Sequence, residues 1–108
     1  MLSYLALVHV KPGQQERLRQ YENLALPVFR RYGGSFERIL RPVRTGDGLH
    51  PDAPDEVHLL RFETVDGLEA MRRDPEMIAL GPLRHEVVRK ALLIPVEDVP
   101  PDRYFKPG

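Results

Sequence analysis

Apolar and polar positions alternate along this chain with a changing period, and each change marks an element. From Leu2 to Val10 (LSYLALVHV) almost every position is apolar, the pattern of a short strand covered on both faces. Lys11-Pro12-Gly13 ends it. A helix is predicted from about Gln14 to Tyr32, because Leu18, Tyr21, Ala25, Val28 and Tyr32 recur at three- and four-residue steps and make one stripe. Arg17, Arg19, Gln20, Glu22 and Arg30 fall mostly on the opposite face. Pro27 removes a backbone donor and crowds the preceding turn, so a kink is expected near Asn23 to Pro27. Gly33-Gly34 supplies a left-handed stop.

Ser35 to Arg44 then alternates with period two. Phe36 and Leu40 are expected on one face with Arg38 between them, and Glu37, Ile39 and Arg41 on the other. Pro42 cannot donate to a ladder and places that end at a sheet edge or bulge. Thr45 to Pro54 is rich in Gly, Pro and Asp and reads as a loop. Val57 to Phe62 is the central strand. Thr64 is expected to cap the following helix, with Val65, Leu68 and Met71 as its apolar side. Asp74-Pro75 breaks and restarts that helix, an N-cap followed by proline at the first helical position. Met77, Ile78 and Leu80 are expected to bury the second piece. After Gly81-Pro82, Leu83, Val87 and Val88 continue a last helical stretch, and Ala91 to Val96 forms the fourth strand.

The element order is strand, helix, strand, strand, broken helix, strand. That is an α+β, ferredoxin-like βαββαβ arrangement with a four-stranded antiparallel sheet. Two helices would cover one face. The other face would stay bare, although strands one and four look apolar on both sides. A homodimer closed through the open sheet face is therefore expected. Residues 1–97 form this domain. Residues 98–108 form a tail, where Tyr104 and Phe105 suggest docking on the partner subunit, with a disordered end as the alternative.

Composition narrows the classes. A chain of 108 residues, 42% hydrophobic, suits one domain with its own core. Cysteine is absent, which excludes disulfides and thiolate metal sites. Lys plus Arg and Asp plus Glu are each 16, so the formal charge is zero. No overall attraction to phosphate backbones follows, and nucleic acid is not an expected partner. No apolar run approaches the roughly 20 residues that span a bilayer, and no targeting segment opens the chain. A cytoplasmic protein away from the membrane is expected.

Two families share residues with the chain. RYGGSFERILRP and PDEVHLLRFETVDGLEAMRRDPEMIALGPLR resemble the family called domain of unknown function 1330. VKPGQQERLRQYENLALPVFRRYGG and EVHLLRFETVDGLEAMRRDPEM resemble the NIPSNAP family, which has a Lys-Pro-Gly after strand one, a proline in helix one, a histidine in strand three and an Asp-Pro-Glu in the broken helix. The chain departs from the NIPSNAP pattern at Met77, where that family usually carries Trp. Both resemblances imply a dimeric α/β barrel, reaching to about Val96. That superfamily includes cofactor-free monooxygenases, haem enzymes, lactone isomerases and many members without known activity, and fold does not choose among them.

His58 is the leading candidate for chemistry. It alternates with Leu60 and Phe62, so it should face the helices, where an imidazole can bond a ligand or act as a base. By resemblance it matches the strand-three histidine of NIPSNAP domains. A core histidine satisfied by a carbonyl or a tyrosine is the plainer alternative. His9, at the end of strand one, should lie near the start of strand three and so near His58. Tyr21, Phe62 and Met71 are the expected ligand contacts of a small, mainly apolar molecule held between helices and sheet. Arg38 and Arg61 read as interface ion pairs with Glu37, Glu56 or Glu63. There is no Gly-rich phosphate loop, no HExxH and no serine elbow, so no metal and no cofactor are expected. Three other readings remain: a cofactor-independent monooxygenase or isomerase with His58 or His9 as base, a haem binder with His58 or His9 as axial ligand, and a purely structural dimer.

Overall fold

The computed structural model describes residues 2–106, so Met1 and the last two tail residues, Pro107 and Gly108, lie outside the described residues. The chain folds as β1 (Leu2–Val10), α1 (Gln15–Arg31), β2 (Gly34–Leu40), β3 (Glu56–Phe62), α2 (Gly67–Arg73), α3 (Pro75–Ala79), α4 (Gly81–Val87), β4 (Val88–Val96) and α5 (Pro101–Tyr104). The strands form one sheet in the order β2-β3-β1-β4, and every neighbouring pair is antiparallel. This is the βαββαβ plan read from the periodicity.

Strand parity divides the sheet into two faces. Tyr4, Ala6, Val8 and Val10 of β1 are buried toward the helices, as are Leu60 and Phe62 of β3. Leu18, Ala25 and Val28 of α1 close over them, with Leu68 and Met71 of α2 and Val87 of α4. Register places Leu5 opposite Leu59 and Ile94, and Leu7 opposite Val57 and Leu92. These residues line the other face, which no element among the described residues covers, and Leu92 and Ile94 stay exposed there.

Phe62 is the centre of the core. Its ring meets Tyr4 edge-on at 6.1 Å and Phe29 at 5.8 Å. Two glycines make room for it. A Cβ on Gly34 would come within 2.8 Å of the ring, and one on Gly67 within 2.9 Å of the ring and 2.8 Å of the Tyr32 carbonyl oxygen. The phenyl group is fully buried because those two positions carry no side chain.

Several local expectations need correction. β2 stops at Leu40 rather than Arg44, and its register shifts between Phe36 and Arg38. The bulge leaves Glu37 unpaired, so Phe36 and Ile39 oppose Leu60 and His58 on the helical face, while Arg38 and Leu40 oppose Leu59 and Val57 on the open face. α1 continues through Pro27 as one helix. Pro27 lies on its exposed side, where water can reach the carbonyl left without a donor. α2 begins at Gly67, too late for a Thr64 side-chain cap; only the Thr64 carbonyl accepts from the Gly67 amide, at 3.3 Å. Val65 and Ile78 point outward, 68% and 62% exposed. Val88 already belongs to β4.

The break at Asp74 follows its sequence signal. The Asp74 side chain accepts from the Glu76 amide at 2.8 Å, and Pro75 opens α3. Gly33 holds φ +76° and ends α1. In the tail, Tyr104 and Phe105 pack edge-to-face on each other at 5.0 Å and stay exposed, so neither docks on its own chain.

Candidate functional site

The helical face of β3 changes character along its length. Phe62 and Leu60 are core, but the next two positions of the same parity are His58 and Glu56, both buried. Residues two apart on a strand share a face, and here that brings the His58 Nε2 to 2.7 Å from Glu56 Oε1. α1 supplies a second carboxylate. Glu22 Oε2 lies 3.1 Å from the same Nε2. Arg41, just beyond β2, donates through Nε and Nη2 to Glu56 Oε2 at 3.2 and 3.1 Å. The Phe36 ring covers the imidazole edge-on at 5.3 Å.

One imidazole nitrogen thus faces two carboxylates. It aligns with Glu56, and Glu22 Oε2 stays buried without a hydrogen-bond partner. The ionisation preferences follow. Burial pushes the Glu22 carboxyl up and Glu56 pushes it further, against the pull of His58. Burial also acts to raise Glu56, but His58, Glu22 and Arg41 outweigh it and hold the group below the ordinary range. Burial disfavours the charged imidazole of His58, yet the two carboxylates overcome that and raise its pKa. One ligand-type atom from each of Glu22, Glu56 and His58 lies within 4.8 Å of the others.

Beside this cluster lies a cavity of about 590 Å³ between the helices and the sheet. Ala6, Leu18, Leu60 and Met71 give it apolar walls; Tyr21, Glu22 and His58 are polar contributions, with Arg72 and Arg84 at the outer side. The Tyr21 hydroxyl donates to the Met77 thioether at 3.9 Å. Burial raises its pKa, partly offset by Arg84. A second hollow of about 380 Å³, between α1 and β2, is lined by Glu22, Glu56, Arg41 and Ile39, so Glu22 borders both.

Of the residues singled out in the sequence, His58, Tyr21 and Met71 meet around the larger cavity. Phe62 does not line it and sits in the packed core. His9 is on the opposite face of the sheet from His58. Register pairs His58 with Ala6, and His9, three residues further on, has the other parity; its Nδ1 meets Arg89 Nη2 at 3.3 Å. The two imidazoles therefore share no pocket. Arg38 and Arg61 make no ion pair among the described residues. Glu56 cannot serve them, because it lies on the helical face and is taken by Arg41 and His58. The Nε of Arg61 is buried without a hydrogen-bond partner.

Glu22, expected from the helical spacing on the solvent face, instead lies against His58. It stands four residues after Leu18 and three before Ala25, helical steps that carry it to the edge of the buried stripe. Glu56 continues the alternation of His58, Leu60 and Phe62. Arg41 carried no signal of its own, because the bulge at Glu37 decides which face it joins.

No protein-family model matches the chain. No curated protein matches it. Solved structures do. A protein of unknown function from Rhodopseudomonas palustris superposes with TM-score 0.77 at 23% identity, over 93% of this chain and 83% of that one. The chain has a ferredoxin-like fold. A NIPSNAP domain protein from Burkholderia xenovorans matches with TM-score 0.67 at 15% identity, over 92% of this chain and 95% of that one. A dabb family protein with a ferredoxin-like fold from Mesorhizobium loti matches with TM-score 0.63 at 14% identity, over 92% and 97%. These likenesses establish the ferredoxin-like fold. Among the described residues, no helix is long and apolar enough to cross a membrane.

Proposed function

We propose that this chain forms a homodimer through its open sheet face and binds a small, mainly apolar molecule in the cavity between helices and sheet. The observation that carries the reading is the cavity of about 590 Å³, with its apolar walls and its few polar groups at Tyr21, Glu22 and His58. Such a volume suits a ligand of modest size, and sparse polar groups orient it. The dimer reading rests on the open face: Leu5, Leu7, Val57, Leu59, Leu92 and Ile94 make a continuous apolar surface, larger than isolated exposed residues explain.

The test is a binding screen by thermal shift and calorimetry with small aromatic and aliphatic compounds. It compares the native chain with Ala91→Phe, which narrows the cavity from β4 without entering the core. Binding by the native chain and its loss in the variant support the reading. Equal binding by both places the ligand elsewhere and removes it.

A second reading rests on the cluster at the cavity wall. Groups sharing protons beside an apolar hollow can move one, which fits a cofactor-independent monooxygenase or isomerase. His58 is then the base, held by Glu56. His9 has no place in this mechanism, since it lies across the sheet. Turnover of a cavity ligand that survives His58→Gln excludes this reading.

A further inference from the structure

We propose that Glu22, Glu56 and His58 together bind one divalent transition-metal cation, with its remaining coordination positions open toward the cavity. The three side chains come from two rigid elements, α1 and β3, and their nearest ligand-type atoms lie within 4.8 Å of one another. Three protein ligands with the rest of the sphere open is the arrangement of reactive metal sites rather than of closed structural ones. An imidazole with two carboxylates is a mixed nitrogen and oxygen set. It suits zinc, manganese, iron(II) or cobalt better than calcium or magnesium, which prefer oxygen alone.

Three further observations fit a cation. Glu56 and His58 are each only 5% exposed, so this is not an acidic patch on the surface. The single nitrogen between two carboxylates can donate to one of them, and Glu22 Oε2 is left buried without a hydrogen bond, with only the 3.1 Å ion-pair contact to Nε2. A metal ion satisfies all three groups at once. Arg41 engages Glu56 through Oε2 alone, leaving Oε1 turned inward. Outer groups that hold and orient a ligating carboxylate are a regular part of metal sites. Arg41 offsets one of the two carboxylate charges, and a dication outweighs the other, leaving one positive charge that an anionic ligand in an open position can balance.

The site stands apart from the apolar-ligand reading, because chelator-treated protein can be screened for that ligand with no metal present. The direct test uses tag-free, chelator-treated protein titrated with cobalt(II), followed by its visible d–d absorption and by calorimetry, with zinc as competitor. One cobalt per chain is expected, displaced by zinc. Glu22→Gln should weaken binding at least about a hundredfold, and Arg41→Gln, one shell out, about tenfold. His9→Gln and His85→Gln should leave it unchanged. Glu22 is partly exposed and glutamine matches its shape, so this variant is expected to fold, and circular dichroism checks it. Absence of cobalt and zinc binding up to millimolar concentration overturns the proposal. So does binding that persists in Glu22→Gln, or binding that His9→Gln or His85→Gln abolishes.

Discussion

Tyr32, which closes α1, donates its hydroxyl to Asp74 Oδ2 at 2.7 Å, and so ties the end of the first helix to the break in the second. Arg31 Nη1 reaches the same oxygen at 3.0 Å, while Oδ1 caps α3. The Tyr32 hydroxyl is the largest influence on Asp74 and lowers its pKa below the ordinary 3.8; burial opposes this, and the Glu76 amide and Arg31 add to it. A carboxyl with a depressed folded pKa contributes stability that is complete above the unfolded value and disappears as pH falls through the folded one. The melting temperature should therefore drop below about pH 4. In Asp74→Asn it should be lower at neutral pH and fall less steeply in acid. Parallel acid limbs for the two proteins would contradict the assignment.

The two glycines around Phe62 make a contrast with Gly46. Gly67→Ala drives a methyl against the Tyr32 carbonyl and the Phe62 ring, both under 3.0 Å away. Overpacking of this kind costs about 1–3 kcal/mol. Gly46, in the turn between Thr45 and Gly48, has nothing within 4 Å of a new Cβ and no positive φ, so Gly46→Ala should stabilise by about 0.4–1 kcal/mol. Urea titrations of the two variants should move the midpoint in opposite directions.

The open face carries the dimer prediction. Leu59 lies opposite Leu5, and both project from the face that the chain leaves uncovered. Sedimentation of the native protein at micromolar concentration should give the mass of two chains. Leu59→Asp should give one, because an interface of the usual roughly 1,200–2,000 Å² does not tolerate an unpaired charge at its centre. A native protein that sediments as a folded single chain would remove the dimer.

The fold was legible because periodicity decides it. β1, α1 and β3 match their apolar patterns closely, and Asp74-Pro75 states its own helix start. The site was half legible. His58 follows from simple alternation, but His9 could not be assigned to a face, since β1 is apolar at both parities. Glu22 was hidden by its charge. A single glutamate at the border of a helical stripe looks solvated until the buried end of β3 is set opposite it. The bulge at Glu37 leaves no compositional mark, and the faces of Ile39 and Arg41 depend on it.

Phe62 and Met71 were read together as ligand contacts, and the cavity separates them. Phe62→Leu removes ring contacts with Tyr4 and Phe29, and should cost about 1–3 kcal/mol of stability. It should leave the affinity for a cavity ligand unchanged within about twofold, because Phe62 forms no part of the cavity wall. Met71 does line the cavity and is buried. Met71→Ala should cost about 2–5 kcal/mol and should also alter ligand affinity by at least about tenfold, the loss expected when well over 1 kcal/mol of apolar contact is removed. Denaturant unfolding and calorimetry on the same samples separate the two effects. If Phe62→Leu lost ligand binding while Met71→Ala kept it, the cavity would have to be placed deeper, under the ring rather than beside His58.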